Sequence, residues 1–333
     1  MKNSLNICSW NVGGLVSGNI NKSENPEFIS VLKKHDIILL SETHIGYDNT
    51  ISFKEFLFYK FCRPKSKNNR HFGGLGILIR PEIKQGVKFM NDGNTEYQWI
   101  KLSKTFFHLK KDLFICLVYY SPNSTENLIE TIEKDIIEKY GKIGDTAIFG
   151  DFNARTGSEP DFIFNDSSAH IPISNDNYDV DLTVERRVSQ DNIIDARGKD
   201  LLDMCVCNKL RILNGRSCGD CSGKFTCYTP NGCSVVDYIL VSENLMSQVL
   251  YMEVSDFLYG LSDCHCYLSM KLLACYEKEY KNENLKDFTL GYIWDQNCLP
   301  DFIDTFSHPA TQKLINDFLL KKIDLNEESI NCA

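Results

Sequence analysis

Thr146-Ala147-Ile148-Phe149-Gly150-Asp151-Phe152-Asn153-Ala154-Arg155 runs from apolar side chains straight into a carboxylate, an amide and a guanidinium. Residues 146–150 have the length and content of a buried strand. Polar groups at its end are costly to bury unpaired. Asp151 and Asn153 therefore belong either to an ordinary turn or to a site that supplies them with partners. If the chain stays extended, the two side chains share a face.

Outward from that stretch the same pattern recurs. Residues 5–11 end in Ser9-Trp10-Asn11, and residues 36–42 lead into Ser41-Glu42-Thr43-His44. Residues 113–120 end in Tyr119-Tyr120-Ser121-Pro122. Asp237 lies within the apolar run 235–241, and Ser262-Asp263-Cys264-His265 closes the series. Residues 74–79 form a further apolar run, and helical patterns fall at 26–34, 126–140 and 199–210. This irregular alternation predicts a layered α/β or α+β architecture. One polar strand end is unremarkable. Six of them gathered on one sheet edge would assemble carboxylates for a hard cation, amides, a phenol and an Asp–His pair. That is the inventory of phosphoryl-transfer chemistry.

The whole chain sets bounds. Its 333 residues, 43% hydrophobic, suffice for one large domain with a short appendage. The formal charge of -9 and pI near 5.4 exclude a generally basic nucleic-acid coat, so contact with DNA must rest on a local patch. Fourteen cysteines are too dilute for a small disulfide scaffold. The early apolar run 5–8 is too short for a signal peptide, and no run reaches the roughly 18 apolar residues of a membrane span. These features predict an intracellular protein of the nucleus or cytoplasm with reduced thiols, no membrane association and no organic cofactor. Residues 158–195, rich in Asp, Asn and Ser, read as a long insertion. A change of pattern places a domain boundary near 272, with 273–333 as an extension carrying short helices near 301–307 and 310–321.

Taken in order, Ser9-Trp10-Asn11-Val12, Ser41-Glu42-Thr43, Tyr119-Tyr120-Ser121-Pro122, Gly150-Asp151-Phe152-Asn153, Val236-Asp237-Tyr238-Ile239 and Ser262-Asp263-x-His265 resemble the signature of the endonuclease/exonuclease/phosphatase superfamily. Arg211-Ile212-Leu213-Asn214-Gly215-Arg216, Gly223-Lys224-Phe225-Thr226 and Thr229-Pro230-Asn231-Gly232 are similar to stretches of LINE-type (non-LTR) retrotransposon endonucleases. The resemblance spans about residues 4–272. It implies an α+β, DNase-I-like, four-layered sandwich of two packed β-sheets flanked by helices, with the site at one end. It also implies a Mg²⁺-dependent DNA endonuclease, with Mn²⁺ as a substitute, that nicks a phosphodiester and leaves a 3′-hydroxyl.

On that resemblance, Glu42 is the principal metal ligand, and Asn11 beside it is a ligand or a phosphate-orienting amide. Asp151 positions or deprotonates the attacking water, and Asn153 holds the phosphate. Tyr119 donates to the phosphate or the departing oxygen, with Tyr120 on the opposite face. His265 hydrogen-bonds the phosphate while Asp237 holds its ring. Asp263 is a further acidic ligand or orients water. Two departures stand out. Cys264 separates Asp263 from His265, where the family pattern runs Ser-Asp-His without interruption. Cys227 stands where related endonucleases often carry an aromatic.

Lys60 to Arg70 holds five basic and no acidic residues, so Lys65, Lys67 and Arg70 are either a DNA-backbone patch or a solvated loop. Cys218-Gly219-Asp220-Cys221 has zinc-ligand spacing, with Cys205 and Cys207 upstream but no matching second pair. Arg187-Val188-Ser189-Gln190-Asp191 resembles a stretch of the same endonucleases without an evident physical role. Residues 292–295 resemble the linker after such a nuclease, and no polymerase block follows, so the chain reads as a fragment, a truncated copy or a host gene. Two rivals remain: a phosphoesterase of small molecules or lipid in the same superfamily, and a decayed copy that binds nucleic acid or protein without cutting.

Overall fold

Uninterrupted apolar runs become strands buried on both faces. Ile37–Ser41, Leu75–Ile79, Leu113–Tyr119 and Asp145–Asp151 are buried along their whole length. The computed structural model describes residues 2–17, 20–66, 71–90, 94–166, 180–182, 185–276 and 299–320. The chain divides into two units, Met1–Tyr280 and Lys281–Ala333.

The first unit contains two six-stranded sheets. One runs Val249–Val254, Leu268–Tyr276, Lys2–Asn11, Ile37–Ser41, Leu75–Ile79, Leu57–Phe61 across its width. The other runs Leu210–Ile212, Asp237–Ser242, Asp145–Asp151, Leu113–Tyr119, Tyr97–Leu102, Val87–Phe89. Both are mixed: Lys2–Asn11 lies parallel to Ile37–Ser41 and antiparallel to Leu268–Tyr276. Register decides what meets at the ends. Asp151 pairs with Asp237 on one side and Tyr119 on the other, and Asn11 pairs with Ser41.

Ile7, Leu39, Ile77, Leu117, Phe149 and Ile239 pack between the sheets. Each such side chain contributes about 1.5–3 kcal/mol on removal from water. On one outer face, Trp10, Ile38 and Leu40 meet Phe28 and Leu32 of helix Pro26–Leu32. On the other, Phe114, Cys116 and Ile148 meet helices Leu128–Asp135 and Ala196–Cys207. The order is helix, sheet, sheet, helix, the four-layered sandwich the resemblance implies. Helix Pro26–Leu32 starts where Asn25 Oδ1 accepts the amides of Glu27 and Phe28 at 2.8 and 3.1 Å, with proline at the first position. The helix expected over 126–140 forms as Leu128–Asp135 followed by a π-type turn, Ile136–Tyr140. The second unit shows helices Leu299–Ser307 and Pro309–Leu320. Among the described residues, no helix is long and apolar enough to cross a membrane.

Candidate active site

A Cβ on Gly150 would lie 1.9 Å from the Val118 carbonyl, and its φ is +145°. Only glycine lets the strand end there. It delivers Asp151, which is 1% exposed, into the row with Asp237. Asp151 Oδ1 accepts the Asn153 backbone N–H at 2.9 Å, and Oδ2 accepts Asn11 Nδ2 at 2.9 Å. His265 Nδ1 meets Asp237 Oδ2 at 2.9 Å, which turns Nε2 toward Asp151 Oδ2, 3.7 Å away. Burial, reinforced by the Asp237 charge and opposed by His265, pushes the Asp151 carboxyl up to about 7. Burial pulls His265 the other way, but the charge and hydrogen bond of Asp237 outweigh it and hold the imidazole well above its ordinary value.

On the other side of Asn11, Glu42 follows the end of the first sheet with φ +51°, a left-handed conformation that a side chain with a Cβ rarely adopts. Its Oε1 accepts Asn11 Nδ2 at 2.8 Å, and its Oε2 lies 3.0 Å from His44 Nε2. Burial alone would raise the Glu42 carboxyl, but donors from His44, Asn11 and Tyr119 pull it down to about 2. Burial and the neighbouring Glu42 push the Tyr119 phenol far up, so it stays a proton donor. The Arg63 guanidinium sits 5.3 Å from the centre of the Tyr119 ring and pairs with Glu96 at 2.7 Å. Tyr120 turns the other way, its hydroxyl donating to the Glu126 carbonyl at 3.1 Å. Asp263 is exposed and lies over Gly13, where a Cβ would come within 2.6 Å of its carboxylate.

One local expectation is corrected. The chain does not stay extended after Asp151: Asn153 has φ +45°, and its amide donates to the Tyr120 carbonyl at 3.0 Å. The extra residue Cys264 lies outside the sheet, because residues 262–265 precede the last strand and are not part of it. Ser262 Oγ accepts the His265 amide at 3.2 Å and donates to the Asn11 carbonyl at 2.9 Å, and Trp10 Nε1 donates to the His265 carbonyl at 3.2 Å. The first strand thus carries both Asn11 and the anchor for His265.

Sequence reading gave no role to His44 or Asp191, and counted Arg63 only among the basic residues of 60–70. Asp191 takes Arg155 in a two-point pair at 2.8 and 2.6 Å and accepts the Val235 amide at 3.0 Å, tying the turn after Asp151 to the segment before Asp237. Arg187 Nη2 holds Thr156 through its carbonyl and hydroxyl. The Arg187–Asp191 stretch is therefore a brace behind the site. Thr226 Oγ1 accepts the amides of Val236 and Asp237, both at 3.1 Å, so the Gly223–Thr226 stretch braces the same strand. Lys65 is exposed and lies 3.6 Å from Asp48, while Lys67 and Arg70 fall outside the described residues. Cys205 is buried in a helix while Cys218 and Cys221 are exposed, and among the described residues no metal-ligand group forms around them.

The donors suit a hard cation. Glu42 is a carboxylate held in its ionised form, and Mg²⁺ needs only one or two carboxylates because it keeps most of its water. Asn11 turns its NH₂ to the carboxylates, and its Oδ1 accepts the Gly13 amide at 3.1 Å.

A two-sheet sandwich that sets an ionised carboxylate, a proton-holding carboxylate and an Asp–His pair at one end defines a hydrolase of phosphoester bonds. The profile of the Endonuclease/Exonuclease/phosphatase family matches residues 8–256, and the chain belongs to that family of metal-dependent hydrolases acting on phosphodiester bonds. Its fold is similar to the endonuclease domain of TRAS1, a telomere-specific non-LTR retrotransposon, with a TM-score of 0.51 and 14% identity over 81% of this chain and 98% of that one. AP endonuclease LMAP from Leishmania major superposes with a TM-score of 0.56 and 13% identity over 81% of this chain and 88% of that one. In sequence, a probable RNA-directed DNA polymerase from transposon BS of Drosophila melanogaster is 26% identical over 154 residues, 46% of this chain. The match spans 16% of that relative's length. Similarity to retrotransposon proteins therefore comes from fold and sequence alike.

Proposed function

We propose that the chain is a Mg²⁺-dependent DNA endonuclease that nicks a phosphodiester by in-line attack of water and leaves a 3′-hydroxyl. The observation that carries this reading is the single Asn11 amide shared by Glu42 and Asp151, with the Asp237–His265 pair 3.7 Å from Asp151. A Mg²⁺ ion held by Glu42, with Asp263 as a second acidic group, would neutralise charge on a phosphoryl oxygen. Asp151, once ionised, takes the proton of the attacking water. His265 donates from Nε2 to the phosphate as negative charge develops, and Asp237 holds the ring for that task. The un-ionised Tyr119 phenol donates to the phosphate or the departing oxygen. Asn153 fixes Asp151 through its backbone N–H and has a second amide hydrogen for a phosphate oxygen.

DNA as the substrate fits what flanks this constellation. A groove of about 650 Å³ is lined by Lys224, Tyr228, Phe257 and the 87% exposed Tyr259, which offers stacking faces beside a cation. The similar TRAS1 and LMAP structures are endonucleases. Supercoiled plasmid incubated with Mg²⁺ tests the proposal: the intact chain is expected to nick it, and Asp151→Ala and His265→Ala are expected not to. A folded, intact chain that leaves plasmid untouched yet hydrolyses a generic phosphodiester would move the assignment to a small phosphoester. Inactivity on both would move it to a binding module.

A further inference from the structure

The two departures from the family pattern, Cys227 and Cys264, meet in space. Cys227 forms an isolated bridge with His265, and the Tyr228 amide donates to the Cys264 carbonyl at 2.8 Å, so the two backbone segments lie side by side. One ligand atom from each of Cys227, Cys264 and His265 lies within 4.8 Å of the others. Cys227 Sγ is 3.9 Å from His265 Nε2, the nitrogen that faces Asp151. We propose that Cys227, Cys264 and His265 form a binding site for a soft divalent cation, Zn²⁺ above all, separate from the oxygen site at Glu42, and that its occupation takes His265 out of catalysis.

The geometry needs little adjustment. In tetrahedral zinc sites with bonds of about 2.3 Å to sulfur and 2.0–2.1 Å to nitrogen, ligand atoms stand about 3.6–3.8 Å apart. Two thiolates and an imidazole select zinc over Mg²⁺, which prefers oxygen. Three protein ligands leave the fourth position to water. The ring is already set for this: the Asp237 carboxylate holds Nδ1 at 2.9 Å and leaves Nε2 for a metal. Cys227 is buried and Cys264 half-buried, so the site has one sheltered ligand and one on the entry side. Binding displaces the thiol protons and any proton on Nε2. With Nε2 on the metal, His265 has no N–H to give a phosphate oxygen. That last consequence rests on the endonuclease reading above; the binding site does not.

The test uses the full chain, reduced by a phosphine and free of Mg²⁺, titrated with Co²⁺ as a visible stand-in for Zn²⁺. A sulfur-to-cobalt charge-transfer band is expected, with displacement of the cobalt by Zn²⁺. The band should vanish in Cys264→Ser and in Cys227→Ser, and persist in a chain carrying Cys218→Ser and Cys221→Ser. Asp237→Asn should weaken binding about 10–100-fold. No thiolate band from a folded chain, or one that survives Cys264→Ser, overturns the site. In plasmid assays with Mg²⁺, added Zn²⁺ should stop nicking by the intact chain and spare whatever activity Cys264→Ser retains. A cobalt band together with zinc-insensitive nicking overturns the inhibitory half alone. A chain that binds cobalt through both thiols yet never nicks refutes the endonuclease reading and leaves the metal site standing.

Discussion

One amide group, that of Asn11, touches two carboxylates in opposite surroundings. Glu42, at the end of the first sheet, has 23% of its side chain exposed and faces an imidazole, an amide and a phenol that hold it ionised. Asp151, at the end of the second sheet, is sealed off and sits in register with another carboxylate, so it holds a proton up to about pH 7. The two ends thus separate the roles a phosphodiesterase needs. One keeps a permanent negative charge for a cation, and the other exchanges a proton near neutrality.

The comparison breaks most completely at Asp151. Asp151→Asn keeps the hydrogen-bonding shape but cannot accept a proton, so nicking should fall about 10²–10⁴-fold. In the intact chain the rate should climb as pH rises through about 7, because the carboxylate form accumulates there. The stability effect has the opposite sign. The folded value lies above the ordinary 3.8, so the folded chain holds the extra proton between those values and loses stability as pH rises toward 7. Thermal melts without Mg²⁺ should show that slope in the intact chain and lose it in Asp151→Asn. An unchanged slope, or a pH-flat rate, would deny Asp151 its part.

Glu42→Gln should act on the cation and leave the proton chemistry alone. Apparent Mg²⁺ affinity should drop at least about tenfold, with part of the rate recovered at high Mg²⁺. The folded Glu42 value of about 2 lies below the ordinary 4.5. Its contribution to stability is therefore complete above about pH 4.5 and disappears as pH falls toward 2. Acid titrations of the two chains should diverge only in that window. A rate loss that no Mg²⁺ concentration relieves would assign Glu42 a different role.

Behind the Asp151 end, the brace sets the next effect. Asp191→Ala leaves Arg155, which is partly exposed, without its carboxylate and the Val235 amide without an acceptor, at about 1–3 kcal/mol of stability. Denaturant melts should show the shift, and nicking should weaken only as far as Asp151 and Asp237 lose register.

How much of this was legible follows from the same physics. Strands buried on both faces, such as Leu113–Tyr119 and Asp145–Asp151, stand out as continuous apolar runs. Their polar terminations, Asn11, Glu42, Asp151 and Asp237, stand out as breaks in those runs. Strands nearer the sheet edges did not. Leu57–Phe61 is half-buried throughout and carries Lys60, while Leu268–Tyr276 alternates buried with exposed residues around Lys271 and Leu273. The alternation was in the sequence, but its charged members hid it. His44, Asp191 and Thr226 sit in loops, and their partners are set by pairings between distant strands that no local pattern encodes. Cys264 was legible as an insertion, yet only the structure shows that it falls in the turn held by Ser262 and Trp10, ahead of the last strand.

The smallest effect lies farthest from both carboxylates. Lys65 is 45% exposed and its nearest acidic partner, Asp48, is 3.6 Å away and 67% exposed, so the pair has little bearing on stability. Lys65→Ala should leave melts unchanged. If the basic stretch meets the DNA backbone, duplex binding by the variant should weaken alike for every sequence, and the slope of log affinity against log salt should become shallower by about 1. In a chain of net charge -9, attraction to the DNA backbone has to come from local basic groups, so affinity should fall steeply with salt. Affinity that stays flat from low to physiological salt, in the intact chain and the variant alike, would remove the patch from the mechanism. Recognition would then rest on the aromatic groove of Tyr228, Phe257 and Tyr259.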